Sequence, residues 1–213
     1  MTERDRERDF ERDLGRRLAD AGSRTPTLDP GRLQAELRRR AAAADLLDVA
    51  YASVGSPLGE LLVAVTPRGL VRIAYPGEEA EVLEELASAV SPRVLRAPER
   101  TDRVRRELEA YFAGRLRRFD LPLDWSLVHG FAIEILHATA RVPFGSVATY
   151  GEVAAEAGSP RAARAAGNAL HVNPIPIVVP CHRIVPASGG LGGYGGGEER
   201  KRFLLELEGA APA

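Results

Sequence analysis

An α/β half followed by an all-helical half is the fold class that the sequence predicts. Three observations predict it. Residues 48–75 alternate short β-prone runs with tight turns. Residues 78–112 carry apolar side chains at helical spacing. From about residue 127 the chain changes to short helices punctuated by Gly and Pro.

Residues 1–45 stand apart from both halves. They are rich in Arg, Asp and Glu, with breaks at Thr25-Pro26 and Asp29-Pro30. Leu33, Leu37 and the alanines at 41–44 suggest a short helix after Pro30. Acids nearly match the arginines here. The segment therefore reads as a solvated helix or disordered arm, with a DNA-touching basic arm as the alternative.

The second segment, 46–125, reads as a small structural α/β domain. Asp48–Val54 and Glu60–Thr66 are strand-like and joined by Gly55-Ser56-Pro57-Leu58-Gly59; Pro67-Arg68-Gly69 then turns into Leu70–Tyr75. That is an antiparallel meander. Helices are expected over Glu78–Val90 and Glu99–Phe112, the latter from Val104, Leu108 and Phe112, and Arg118–Leu123 could return as a strand.

The third segment, 126–213, opens with a helix over Phe131–Arg141 that Pro143-Phe144-Gly145 ends. Thr149 and Glu152 fit a capping box that starts a short helix running to Gly158. Ser159 and Pro160 suit the N-cap and first position of the next helix, which Asn173-Pro174 stops after His171. Two short helices around a Gly-containing turn make a helix-turn-helix. On the second of them Arg161, Arg164, Asn168 and His171 share one face, and most of the rest is Ala or Gly. Such a slim cationic face suits a nucleic-acid groove, and an ordinary solvated face is the alternative.

Composition removes several classes of function. The net charge of −1 gives no bulk attraction to nucleic acid, so any DNA contact must be a local patch. One cysteine allows neither an intramolecular disulfide nor a multi-cysteine zinc site. No apolar run suggests a membrane span, and MTERDRERDF lacks the apolar core of a secretory signal. A soluble cytoplasmic protein is the expectation.

Cys181 follows the stiff apolar run Asn173-Pro-Ile-Pro-Ile-Val-Val-Pro180 and precedes His182 and Arg183. Taken alone, a single cysteine reads as a buried structural residue. A neighbouring base or cation would raise its thiolate fraction and make it a nucleophile. Adjacent residues on a strand face opposite ways, so His182 can act on the sulfur only through a sharp turn or a water relay. Spacing alone thus leaves two readings, a structural cysteine or a thiol nucleophile beside a DNA-binding helix.

Further motifs narrow the choice. They are Pro143-Phe144-Gly145, Thr149-Tyr150-Gly151-Glu152-Val153-Ala154, Ala162-Ala163-Arg164-Ala165, Gly167-Asn168-Ala169, Asn173-Pro174-Ile175-Pro176-Ile177, Pro180-Cys181-His182-Arg183-Ile184-Val185, Gly193-Tyr194 and Glu199–Glu206. In these, Phe131–Gly209 closely resembles the O6-alkylguanine-DNA alkyltransferases, and 48–125 looks like that family's smaller N-terminal domain. The resemblance implies a ribonuclease-H-like α/β domain followed by a winged-helix/helix-turn-helix DNA-binding domain. It also implies irreversible, stoichiometric transfer of an alkyl group from O6-alkylguanine, with O4-alkylthymine a further candidate, in double-stranded DNA to Cys181. His182 would deprotonate the thiol through a water, Glu208 would orient His182, Asn173 would brace the turn, and Tyr150 would protonate or position the departing guanine. Arg164 would fill the gap left by the flipped base, with Arg161, Asn168, His171 and Arg183 as further DNA contacts. Tyr194, Ser188, Val179 and Pro180 would line the pocket. A monomer without cofactor or metal is implied. The chain departs from the family pattern at Leu136 or His137, where a Trp is frequent, and at Gly195, where some members have Ser. A lesion-binding module that does not transfer, and a thiol enzyme with turnover, are the competing functions.

Overall fold

The computed structural model describes residues 47–210, together with positions 29, 31–33, 35, 36 and 40. The chain divides into two compact units, Met1–Arg40 and Ala41–Ala213. In the first, the described positions from Gly31 to Arg40 have helical backbone. Leu37 and the alanines at 41–44, which also entered that expectation, lie outside the described residues.

In the second unit, β1 (Val49–Ser56), β2 (Gly59–Thr66) and β3 (Gly69–Ala74) form the expected antiparallel meander. Ser56 closes the first hairpin by accepting from the Leu58 N–H and donating to the Gly59 carbonyl. The sheet is not purely antiparallel. A three-residue strand, β4 (Val94–Arg96), pairs parallel to β1 and gives the order β3-β2-β1-β4. Three residues after Ser91-Pro92 are too few to show a period in the sequence. The suggested strand at Arg118–Leu123 reduces to one bridge between Leu70 and Leu123, because Pro122 has no N–H to extend a ladder. Gly69 is needed there: a Cβ would meet the Pro122 carbonyl oxygen at 2.1 Å.

The sheet is covered on both faces. Val49, Leu62, Ala64 and Val71 pack on Val82 and Leu86 of α1 (Glu79–Ala89). Leu61, Val63, Leu70 and Ile73 face the larger core, which includes Val104, Leu108 and Tyr111 of α2 (Asp102–Phe112). Burial on both sides explains why Leu61–Ala64 is a continuous apolar run. Before α2, Pro98–Arg100 forms a separate 3₁₀ turn, so the helix starts three residues later than its pattern suggests.

The same core continues into the second half. There α3 (Phe131–Ala140), α4 (Tyr150–Glu156), α5 (Ala163–His171) and α6 (Glu198–Glu208) surround Ile175, Ile177, Val179 and Ile184. Thr149 and Glu152 form the expected capping box, with both reciprocal bonds present. The predicted cap of the next helix is displaced. Ser159–Ala162 is a turn, Ala162 is the N-cap of α5, and Arg161 lies before the helix. A strand pair, β5 (Ala148–Thr149) with β6 (Ile184–Val185), ties the start of α4 to the segment after Cys181.

Candidate active site

The run before Cys181 is held by its own backbone. Val179 N–H donates to Ile175 and Cys181 N–H to Val179. Ile177, buried and β-branched, sits at φ 74°, a conformation that costs energy and persists only where packing and hydrogen bonds enforce it. Asn173 supplies part of that enforcement. Its Oδ1 accepts from Ile175 N–H, and its Nδ2 donates to the Val179 carbonyl at 2.9 Å and to Cys181 Sγ at 3.0 Å.

The chain then turns sharply. Cys181–Arg183 is one 3₁₀ turn, which puts His182 inside the protein instead of on the opposite face of a strand. His182 Nε2 lies 3.0 Å from Glu208 Oε1, at the end of α6. Glu208 also accepts from Tyr111 Oη at 2.7 Å and from Arg183 through Nε and Nη2, both at 2.8 Å. Burial alone would raise its pKa, but the hydrogen bonds from His182 and Arg183 outweigh burial and hold it at about 2. The ionised carboxylate therefore takes the Nε2 hydrogen, which leaves the lone pair on Nδ1. That Nδ1 is buried and has no hydrogen-bond partner among the described residues. Burial holds His182 below the usual imidazole pKa despite Glu208, so the ring is a neutral base at pH 7.

The thiol itself is a resting group. Burial pushes Cys181 above the ordinary thiol pKa, while Asn173 and the Lys201 ammonium pull the other way. Lys201 is buried and donates to the Ile184 carbonyl at 2.6 Å; burial lowers its own pKa to about 8.

Two model matches decide the family. Residues 130–210 match "6-O-methylguanine DNA methyltransferase, DNA binding domain", and residues 49–125 match the "ribonuclease-like domain" of the same enzymes. The chain belongs to the 6-O-methylguanine DNA methyltransferase family. A methylated-DNA–protein-cysteine methyltransferase of Methanosarcina acetivorans is 38% identical, over 75% of this chain and 98% of that one. One from Mycobacterium leprae is 40% identical over 73% and 90% of the two chains. Among solved structures, Mycobacterium tuberculosis OGT in complex with DNA superposes with TM-score 0.65 at 39% identity, covering 75% of this chain and 92% of that chain.

In this methyltransferase-family chain the cysteine opens on a hollow of about 100 Å³, lined by Tyr150, Gly167, Leu170, His171, Tyr194 and Gly195 as well as Cys181. Both tyrosines have raised pKa values, first from burial and then from the nearby Cys181, so each is a neutral O–H. A neighbouring groove is lined by Tyr150, Arg164, Gly167 and Asn168. Arg164, Asn168 and His171 are exposed on α5, and Arg161 is exposed in the turn before it.

Four expected site residues sit elsewhere. Arg183 is not an exposed side chain available to DNA; it is buried and committed to Glu208 and the Val142 carbonyl. Ser188 is exposed in a different groove, with Thr149 and Glu152. Val179 and Pro180 are buried and do not line the hollow at the cysteine. Conversely, the sequence reading missed Tyr111, Tyr75 and Lys201. Tyr111 follows Leu108 by three residues, so its position on the inner face of α2 was readable, though its hydroxyl's partner was not. Tyr75, from the ribonuclease-like domain, shares a 2.6 Å hydrogen bond between hydroxyls with Tyr194 and had no local signal. Lys201 was hidden in the charged run Glu198–Arg202. Two of the departures are absorbed by packing: Leu136 is fully buried, and His137 packs edge-on against Trp125 at 4.7 Å.

Proposed function

We infer that this protein repairs alkylated DNA by direct reversal, moving the alkyl group from O6-alkylguanine to Cys181. The observation that carries this reading is a cysteine at a cavity wall with an Asn173 N–H on its sulfur and a buried, neutral His182 braced by Glu208. Arg164 and Asn168 on α5 suit phosphate and base contacts, and Arg164 is the side chain to fill the stack when the damaged nucleotide leaves it. The flipped base enters the hollow between Tyr150, Gly167 and Tyr194. His182, through a water, takes the thiol proton at Nδ1. Asn173 N–H and the Lys201 charge favour the thiolate as it forms. The sulfur attacks the alkyl carbon in line with the C–O6 bond, and the Tyr150 hydroxyl hydrogen-bonds the departing base. A thioether is a poor leaving group, so each molecule reacts once.

The same reading takes the target as double-stranded DNA and the protein as a cytoplasmic monomer. Among the described residues no helix is long and apolar enough to cross a membrane.

Incubation of reduced protein with O6-methylguanine duplex is expected to add one methyl mass per chain, on the peptide containing Cys181, with stoichiometric kinetics. Folded protein that acquires no adduct would sink the reading, and repeated turnover would replace it with a thiol enzyme. For Arg164→Ala, repair of duplex substrate should slow by about tenfold or more, since part of the roughly few kcal/mol flipping cost is no longer offset. Its reaction with free O6-benzylguanine should match the unmodified protein, because no flipping is involved. Equal loss on both substrates would remove Arg164 from the flipping step.

A further inference from the structure

Cys181 lines two cavities. Besides the small hollow, it forms part of a larger one of about 520 Å³. Both share Leu170, His171, Cys181, Tyr194 and Gly195, and the larger adds Ile73, Tyr75 and Val82 from the ribonuclease-like domain. On its other side the small hollow shares Tyr150 and Gly167 with the groove of Arg164 and Asn168. The shared walls give an order: α5 groove, small hollow, sulfur, large cavity. A base that enters from α5 brings its reacting carbon to the sulfur. Whatever that carbon carries projects away from the S–C–O6 line and needs room beside the sulfur, where the large cavity lies.

That cavity has a fixed wall and a biased charge. Tyr75 and Tyr194 are bonded through their hydroxyls, and a Cβ on Gly196 would meet the Tyr75 ring at 2.5 Å, so the tyrosine wall is closely packed. Four charged side chains also contribute: Arg72, Glu78, Glu81 and Glu85. Arg72 is paired with Glu85 at 3.1 Å. Glu78 and Glu81 have no ion-pair partner among the described residues, and Arg200 is seated over the Tyr75 ring at 4.6 Å.

We propose that the ribonuclease-like domain builds the chamber that receives the alkyl group, and that Glu78 and Glu81 make it select neutral and cationic chains over anionic ones. This rests on the alkyl-transfer reading above. In the step itself the Sγ–C bond forms as the C–O6 bond breaks. The thiol proton ends on the released guanine, and nothing is oxidised or reduced. The far end of a long alkyl chain takes no part in that chemistry. Its charge can change the rate through the chamber it occupies.

The test uses the full chain and one duplex sequence carrying O6-methyl, O6-pentyl, O6-(4-aminobutyl) or O6-(3-carboxypropyl) guanine. Adduct formation on Cys181 is followed by intact mass, and each rate is divided by the methyl rate of the same protein. The aminobutyl chain should react about tenfold faster than the carboxypropyl chain, with pentyl between them. Added salt should shrink the ratio, because the cavity is open to solvent. In Glu78→Gln/Glu81→Gln the ratio should fall to about one to two. Equal rates for the two charged chains in the unmodified protein, or a ratio that survives the double substitution, would overturn the proposal. So would methyl transfer with no reaction of any long chain. Failure of methyl transfer in the unmodified protein would overturn the alkyl-transfer reading itself, and the chamber with it.

Discussion

Glu208→Gln is expected to destabilise the protein by about 3–5 kcal/mol and to slow alkyl transfer by on the order of a hundredfold. The stability loss follows from what the carboxylate joins. It accepts from Tyr111 on α2, from His182 and Arg183 in the turn after Pro180, and from Gly145 N–H at 3.4 Å. An amide of the same shape keeps one acceptor oxygen but turns an N–H₂ toward this array of donors. It also leaves Arg183, only 6% exposed, without a counter-charge. The kinetic loss has a separate cause. Without the carboxylate the hydrogen on Nε2 loses its charged acceptor, so the tautomer that leaves the lone pair on Nδ1 is less strongly favoured.

Acid should reproduce the first effect in the unmodified protein. The Glu208 pKa is depressed from 4.5 to about 2 in the folded chain, so its contribution is fully present above pH 4.5. It is lost as pH falls from there through about 2, and is worth about 3 kcal/mol. Urea unfolding at pH 7 and at pH 3 should therefore show a steeper loss for the unmodified protein than for Glu208→Gln. A variant as stable as the parent at pH 7 would mean that the network does not hold the two halves of the core together.

The network also marks what the sequence could convey. The meander of β1–β3, helices α1 to α4 and the Thr149 cap were readable because each is set by period, turn chemistry or a local hydrogen bond; α6, in a charged run, was not anticipated. Strand β4 was not readable either, since a three-residue strand has no period and its partner residues in β1 lie 45 positions earlier. The start of α5 was misread because Ser159-Pro160 satisfies the local rules for a cap, while the chain spends those residues on a turn. At the site, Cys181, His182, Asn173 and Glu208 were assigned through family motifs, not spacing. Arg183 shows why this matters. An arginine beside a nucleophile in a DNA-binding segment reads as a phosphate contact. Its true partner is Glu208, 25 residues away, and only the fold brings them to 2.8 Å. Tyr75 and Tyr111 are the same case across a greater distance: each hydroxyl is committed to a residue of the other domain.

Cys181→Ser should abolish alkyl transfer, by at least about 10⁴-fold, while leaving DNA binding and most of the stability in place. A hydroxyl is a far weaker acid than a thiol, so a neutral imidazole such as His182 cannot hold any useful fraction of it ionised. Oxygen is also the harder nucleophile at an alkyl carbon. Nothing in the set proposed to contact DNA depends on the sulfur, because Arg161, Arg164 and Asn168 are exposed on or beside α5. The hydrogen bond from Asn173 Nδ2 can pass to the serine oxygen, and the one to the Val179 carbonyl is untouched. The stability cost should therefore stay near about 1 kcal/mol. This combination separates the two readings that the sequence left open for a lone cysteine. A structural cysteine predicts the reverse pattern, with a loss of stability and no loss of transfer. The pH profile of the unmodified protein adds an independent check. With the thiol pKa raised by burial, transfer should accelerate as pH rises from 7 toward 9. A rate that is flat over that range would mean that sulfur ionisation does not limit the reaction.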